Sequence, residues 1–178
     1  MRSPDNNTRS FSGKISRRVS FDALLLTAAL ITAWLEAILP LAAPLPGFKL
    51  GLPNLFVLLA AVTVSRRDAF VIQLSRIVIN AFLFGNAAGF IFSLAGGLLS
   101  FAVMSLLATR RRYISLVGIS ILSSAAHNTG QVIAAVALFG EAAFGMLWWL
   151  LLLSLPTGIV TGLLASIIVS RIGSKGYK

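Results

Sequence analysis

Six stretches dominated by apolar residues run along the chain, separated by short polar connections. A helix needs about 20 apolar residues to cross a bilayer, and most of the stretches approach or exceed that length. The second is short, and an earlier start of its helix, near Leu50, is the alternative. The predicted helices span residues 21–39, 55–64, 69–84, 87–109, 113–139 and 144–169. The pattern predicts an all-α integral membrane protein with six transmembrane helices.

The polar segments at the two ends of the chain and between the predicted helices define the domain boundaries and the first loop. Residues 1–20 are polar and basic and are predicted to form a cytoplasmic tail, as are residues 171–178, leaving residues 21–170 as one membrane domain. The first connection, PLAAPLPGFKLGLP, contains four prolines and two glycines, so it cannot continue a helix. At membrane depth such a segment must line a cavity or lie at the interface.

Composition agrees with a multi-pass protein of the cell membrane. Hydrophobic residues make up 57% of the chain and charged residues only 11%, far from the balance of a soluble domain. The net charge of +10 does not indicate nucleic-acid binding, because the basic residues cluster between apolar stretches. The chain has no cysteine, which excludes disulfides and thiolate chemistry.

The basic clusters also predict an orientation. They precede helix one, separate helices two and three, separate helices four and five, and end the chain: Lys14, Arg17, Arg18, Arg66, Arg67, Arg110, Arg111, Arg112, Arg171, Lys175 and Lys178. The intervening connections carry only Lys49 and, near helix six, Glu141. Because positive charge favours the cytoplasmic side, both termini are predicted to be cytoplasmic.

Polar residues inside the apolar stretches indicate a binding site, because a charge at bilayer depth needs a partner or water. Helix three carries Gln73, Arg76 and Asn80 on one face, and helix five carries a second polar face around His127. Glu36 and Asn54 lie towards the outer side, and Asn86 lies in an outer turn. The candidate substrate-binding residues are Glu36, Lys49, Asn54, Arg76, Asn80, His127, Asn128 and Gln131. They predict a cavity open to the outside.

These residue types favour a small amphipathic anion. Arg76 and Lys49 suit a carboxylate or phosphate, the helix-five group can bond hydroxyls or carbonyls, and the aromatic residues Trp34, Phe82 and Phe84 would form apolar walls. A single histidine, five acidic residues and no cysteine predict neither a metal site nor a cofactor. The alternative is structural: Glu36 and Arg76 neutralise each other, and the amides join helices.

Two sequence elements resemble the Gx transporter family. They are FKLGLPNLFVLLA after the proline-rich connection and HNTGQ on helix five. This family, also labelled heptaprenyl diphosphate synthase component I, is grouped with the substrate-binding S components of energy-coupling factor (ECF) transporters. The resemblance implies a membrane subunit that captures a vitamin or a quinone or isoprenoid precursor, and works with a transmembrane coupling protein and two ATPases. It also implies docking through small residues of helix one, here Ala29, Ala33 and Ala37, although such a stripe also serves packing within a chain.

The other functions suggested by these features have less support. No Walker motif occurs, so energy from ATP would come from another polypeptide. Prenyl diphosphate synthases resemble one another in aspartate-rich motifs that hold magnesium, and this chain has no such motif, so we expect no enzymatic activity. The main alternative is a stand-alone secondary carrier or channel, in which Glu36 would be the proton-relay candidate.

Overall fold

The computed structural model describes residues 5–38, 51–84 and 87–173. Within these ranges the chain forms six α-helices and no strand. The helices are α1 (Asp5–Ile38), α2 (Asn54–Thr63), α3 (Arg66–Phe84), α4 (Ala87–Ala108), α5 (Leu116–Phe139) and α6 (Leu147–Gly173), with a 3-10 helix (Glu141–Met146) before α6. The all-α class and the six helices are therefore confirmed.

Three segments of the described residues are long and apolar enough to cross a membrane: Ile15–Glu36, Ala87–Ala108 and Glu141–Ile172. The helix α2 has 10 residues, about 15 Å, and is too short to span the hydrocarbon core alone. The helices α3 and α5 have sufficient length, but their polar faces lower their mean hydropathy. The structure thus supports a helical membrane protein, while six crossings and both termini inside stay predictions.

The first helix differs most from its predicted bounds. It begins at Asp5 rather than at Phe21, so the residues expected to form a polar tail are helical from Asp5 onward. Near the C-terminal end of this added segment, Arg18 Nε donates to Asp68 Oδ2 at 2.8 Å and Arg18 Nη2 donates to Ser65 Oγ. The basic stretch before the apolar run is thereby held against the turn between α2 and α3.

Two apolar cores lie at opposite ends of the bundle. The first lies near the basic turns that follow α2 and α4 and takes residues from each of the six α-helices. It includes Leu25, Leu58, Ile72, Met104, Ile119 and Ala165. The second, at the opposite end, is built from α4, α5, the 3-10 helix and α6, and includes Phe92, Val132 and Leu150. Among the described residues, the N-terminal half (α1–α3) and the C-terminal half (α4–α6) therefore share an apolar core only at the basic end.

Glycines allow the helices of the C-terminal half to lie unusually close together. A Cβ atom on Gly158 of α6 would lie 2.5 Å from Ile121 Cα of α5, and one on Gly130 of α5 would lie 2.6 Å from the carbonyl oxygen of Ala95 on α4. Polar contacts reinforce the α5–α6 pair at four-residue intervals along α5: Ser120 Oγ with Thr161 Oγ1 (2.7 Å), Ser124 Oγ with Thr157 Oγ1 (3.1 Å) and Asn128 Nδ2 with the Leu150 carbonyl (2.6 Å). These contacts join α4, α5 and α6 into one tightly packed half.

Candidate functional site

A layer of buried polar side chains lies between the two apolar cores. It receives residues from α2, α3, α4 and α5, and none of them is more than 8% exposed. The members of this polar layer are Asn54, Gln73, Arg76, Ser100, His127 and Gln131. The layer brings together the polar faces predicted on helices three and five, although they are distant in sequence.

Arg76 is the buried cation of the layer. Its Nε donates to Gln73 Oε1 at 2.9 Å, and its Nη2 donates to Asn54 Oδ1 at 2.6 Å. Gln73 lies one turn earlier on α3, and Asn54 is the first residue of α2, so two helices fix the guanidinium. Asn54 Nδ2 in turn donates to Ser100 Oγ on α4 at 3.3 Å. Two neutral amides thus hold Arg76 without removing its positive charge.

Glu36 connects the end of α1 to the start of α2. Its Oε1 accepts a hydrogen bond from the backbone N–H of Leu52 at 2.6 Å, and its negative charge acts electrostatically on Arg76. The structure therefore places Glu36 beside the polar layer. This location is compatible both with ligand binding and with the alternative that Glu36 partly neutralises Arg76.

His127 and Gln131 form a pair on one face of α5, one turn apart. Gln131 Nε2 and His127 Nε2 are 2.8 Å apart, and with the amide nitrogen as donor, the neutral imidazole carries its proton on Nδ1. Two glycines surround the ring: a Cβ on Gly51 would lie 3.3 Å from His127 Cδ2, and one on Gly96 would lie 3.1 Å from its Cε1. Gly51 has φ of +86°, which favours glycine.

Two other predicted residues have different surroundings. Asn128 is 1% exposed, but its Nδ2 donates to the Leu150 carbonyl of α6, on a different face of α5 from the His127–Gln131 pair. This Nδ2 bond joins two helices, the alternative role for the amides, while Asn128 Oδ1 has no hydrogen-bond partner within the described residues. Asn80 is 6% exposed, one turn after Arg76, and its Oδ1 has no hydrogen-bond partner within the described part of the chain. Asn80 thus offers a buried acceptor beside the layer.

The alanine stripe of α1 is buried in the chain itself. Ala29 and Ala33 are 0% and 1% exposed, because this face of α1 packs against α2 and α3. In this conformation a partner cannot reach these two side chains, so the structure assigns them to internal packing. The side chain of Ala37 lies outside the described residues.

The predicted aromatic walls are wrong for the two residues that the structure describes. Phe82 is 87% exposed and Trp34 is 42% exposed, so both side chains face the exterior of the bundle, as lipid-facing residues do. The side chain of Phe84 lies outside the described residues, as do Lys49, Asn86 and most of the proline-rich connection.

Ser100 and the adjacent glycines of α4 are site features that the sequence reasoning missed. A Cβ on Gly97 would overlap Gln73 Nε2, and one on Gly96 would lie 2.9 Å from Gln131 Cγ. The two glycines therefore let α4 pass between the polar residues of α3 and α5. Two consecutive glycines inside a helix, each costing about 1 kcal/mol, were the available signal. Within the described residues, no three His, Cys, Asp or Glu side chains are grouped as metal ligands would be.

Comparison with known protein families gives a match. A family model described as heptaprenyl diphosphate synthase component I matches residues 25–168, which contain all six residues of the polar layer. No curated protein and no solved structure matches the chain.

Proposed function

The chain belongs to the heptaprenyl diphosphate synthase component I family, whose members are known as Gx transporters, and we propose that it is the substrate-binding S component of an ECF-type importer in the cell membrane. The observation that carries this proposal is the buried Arg76, which two amide side chains orient between the halves of the bundle. Arg76 is buried, and its hydrogen bonds within the described residues go to neutral amides, while Glu36 acts on it electrostatically. A buried cation with uncharged hydrogen-bond partners is a natural anchor for an anionic ligand.

The position of the polar layer supports entry from the outside. The two halves share an apolar core at the basic end, which the positive charges predict to be cytoplasmic. Towards the other end, the described apolar core belongs to the C-terminal half alone. The layer is thus sealed from the cytoplasm by apolar packing, while separation of the halves at the outer end would open it.

The chemistry of the layer favours a small amphipathic anion, such as a vitamin or a quinone or isoprenoid precursor. Arg76 would bind a carboxylate or phosphate, and the His127–Gln131 pair would bond a hydroxyl or carbonyl group. Asn80 Oδ1 would accept from a donor on the ligand. A ligand with both an anionic group and hydroxyl groups would satisfy all three.

Mass spectrometry of compounds that co-purify with the detergent-solubilised protein would identify the ligand. Arg76→Gln should then abolish measurable binding in a titration, because the charge-assisted contact is lost from a buried site. Arg67→Gln is the matched control, since Arg67 lies on the same helix but is exposed. Unchanged affinity in folded Arg76→Gln protein would contradict the proposed site.

We further propose that transport needs a separate coupling protein and two ATPases, because the sequence contains no Walker motif. With Ala29 and Ala33 buried, the coupling protein would contact exposed side chains of α1 such as Leu24 and Ile31. Uptake in cells should stop when the ATPases are inactivated, and the purified chain alone in liposomes should bind but not transport. Transport by the chain alone, driven by an ion gradient, would instead establish the secondary carrier.

We propose that the chain has no synthase activity. Asp22 and Asp68 come close enough to interact electrostatically at the basic end, a proximity that the sequence did not indicate. However, Asp68 accepts a hydrogen bond from Arg18 at 2.8 Å, which occupies the carboxylate that magnesium would need. Incubation with prenyl diphosphates and magnesium should yield no chain elongation, and elongation by the purified chain would overturn this proposal.

A further inference from the structure

A small polar cavity lies beside Asn54, between α2, α4, α5 and α6. Five of its lining side chains carry hydroxyl groups, and Asn54 adds an amide: Ser120, Ser123, Ser124, Thr157, Thr161 and Asn54. The cavity has room for about one water molecule.

One of these hydroxyl groups needs a further partner. Ser120 bonds Thr161 and Ser124 bonds Thr157, so four of the five hydroxyls are joined in pairs. Ser123 is only 2% exposed, and its Oγ has no hydrogen-bond partner among the residues that the structure describes. A buried hydroxyl left without a partner costs folding free energy, so Ser123 indicates a ligand within the cavity.

The lining also defines the chemistry of that ligand. None of the described residues that line the cavity carries a carboxylate, and Asn54 already accepts a hydrogen bond from the cationic Arg76, so a metal cation would find no compensating charge. The available volume excludes anything much larger than one oxygen atom with its hydrogens. A neutral molecule that both donates and accepts hydrogen bonds fits the hydroxyl and amide groups.

We propose that this cavity holds one ordered water molecule, bonded to Ser123 Oγ and to the amide of Asn54. The water occupies hydrogen-bonding capacity that Asn54 retains after bonding Arg76 and Ser100. It thereby links the α5–α6 seam to the residue that orients Arg76. The site is separate from the ligand-binding role of the polar layer and does not depend on it.

X-ray radiolysis with mass spectrometry tests this proposal directly, because an ordered internal water generates hydroxyl radicals where it is bound. Met104 lines the cavity, is 1% exposed and carries an oxidisable sulfur. Brief irradiation of the folded, detergent-solubilised protein should oxidise Met104, whereas added hydrogen peroxide should not reach it. Absence of Met104 oxidation on irradiation, or equal oxidation by peroxide, would overturn the proposal.

Two substitutions of Ser123 test whether its hydroxyl binds the water. Ser123→Val should abolish radiolytic oxidation of Met104, because its side chain fills the cavity and removes the hydroxyl. Ser123→Ala should lower the melting temperature. Ser93→Ala is the matched control: Ser93 is also a buried serine without a described partner, but it does not line the cavity, so its loss should leave the melting temperature unchanged or raise it. Persistence of the Met104 signal in folded Ser123→Val protein would contradict the water site.

A salt series separates water from a bound cation. The melting temperature should be the same in sodium, potassium and choline chloride at equal ionic strength, since water binding does not depend on the cation. If the melting temperature rose only in sodium chloride, and this rise were lost in Ser123→Ala, the cavity would hold a sodium ion and the proposed water would be wrong.

Discussion

At the residue scale, Asn54 connects several helices of the bundle. Its Oδ1 accepts from Arg76 of α3, its Nδ2 donates to Ser100 of α4, and it also lines the hydroxyl cavity beside α5 and α6. The hydrogen bond to Ser100 joins the two halves, because Asn54 begins α2 and Ser100 lies on α4. Asn54 therefore couples the orientation of the buried guanidinium to the packing of the halves.

This position makes the stability effect of Asn54 predictable. Asn54→Ala should lower the free energy of unfolding by about 1.5–3 kcal/mol, the usual cost of a lost hydrogen bond to a charged group. Ser100→Ala should cost about 1 kcal/mol or less, because its bond is neutral and long at 3.3 Å. Chemical denaturation in detergent micelles measures both. The double variant should cost less than the sum, since both changes remove the same bond. Equal costs for the two single variants would show that Arg76 does not depend on Asn54.

The sequence predicted part of this site for a clear physical reason. Arg76 and the His127–Gln131 pair recur at helical spacing, so their shared faces follow from periodicity alone. The neighbouring Asn128 points to α6 instead, and its role depends on which helix meets that face. Likewise, the burial of Ala29 is a tertiary fact, because a small-residue stripe looks the same whether it meets a partner or the chain's own helices.

At the element scale, the pattern of apolar residues along the sequence predicted the ends of α2 to α5 to within about three residues. Connections that contain glycine, asparagine or arginine interrupt each apolar run and so mark the helix ends. The residues before Phe21 were predicted to form a polar tail because they lack an apolar period, yet they continue α1 back to Asp5. The contact of Arg18 with Asp68, which is distant in sequence, fixes only the part of this segment next to the apolar run. Close approach of α5 and α6 likewise depends on Gly158 and Gly162, whose neighbours only the fold reveals.

The α5–α6 contact predicts a specific sensitivity to added methyl groups. Gly158→Ala would place a Cβ against the backbone of Ile121, which cannot move as a side chain does, so we expect a loss of about 1–3 kcal/mol of stability. Gly145→Ala is the matched control, because no atom lies within 4 Å of the added Cβ. Thermal unfolding of the two purified variants compares them. A Gly158→Ala variant as stable as Gly145→Ala would mean that the two helices are less closely packed than described.

At the scale of the whole molecule, charge, exposed aromatic residues and apolar packing all distinguish the same two ends of the bundle and so define one axis. The basic turn after α4 carries Arg110, Arg111 and Arg112 with the 80% exposed Tyr113, while the exposed Trp148 and Trp149 lie near the opposite end, at the start of α6. Aromatic residues at both ends are typical of the two membrane interfaces. The apolar core shared by both halves lies at the basic end, so the end that the positive charges predict to be cytoplasmic is also the closed end.

This axis predicts the orientation of the protein in the membrane. Because the chain contains no cysteine, single cysteines can be introduced as unique labels. Arg111 and Glu141 are both exposed and stand near opposite ends of α5, whose 24 residues span about 36 Å. In intact cells, a membrane-impermeant maleimide should label Glu141→Cys but not Arg111→Cys, and both should react after permeabilisation. Labelling of Arg111→Cys in intact cells would place the basic end outside, and the apolar seal that we assign to the cytoplasmic side would then face the source of the substrate.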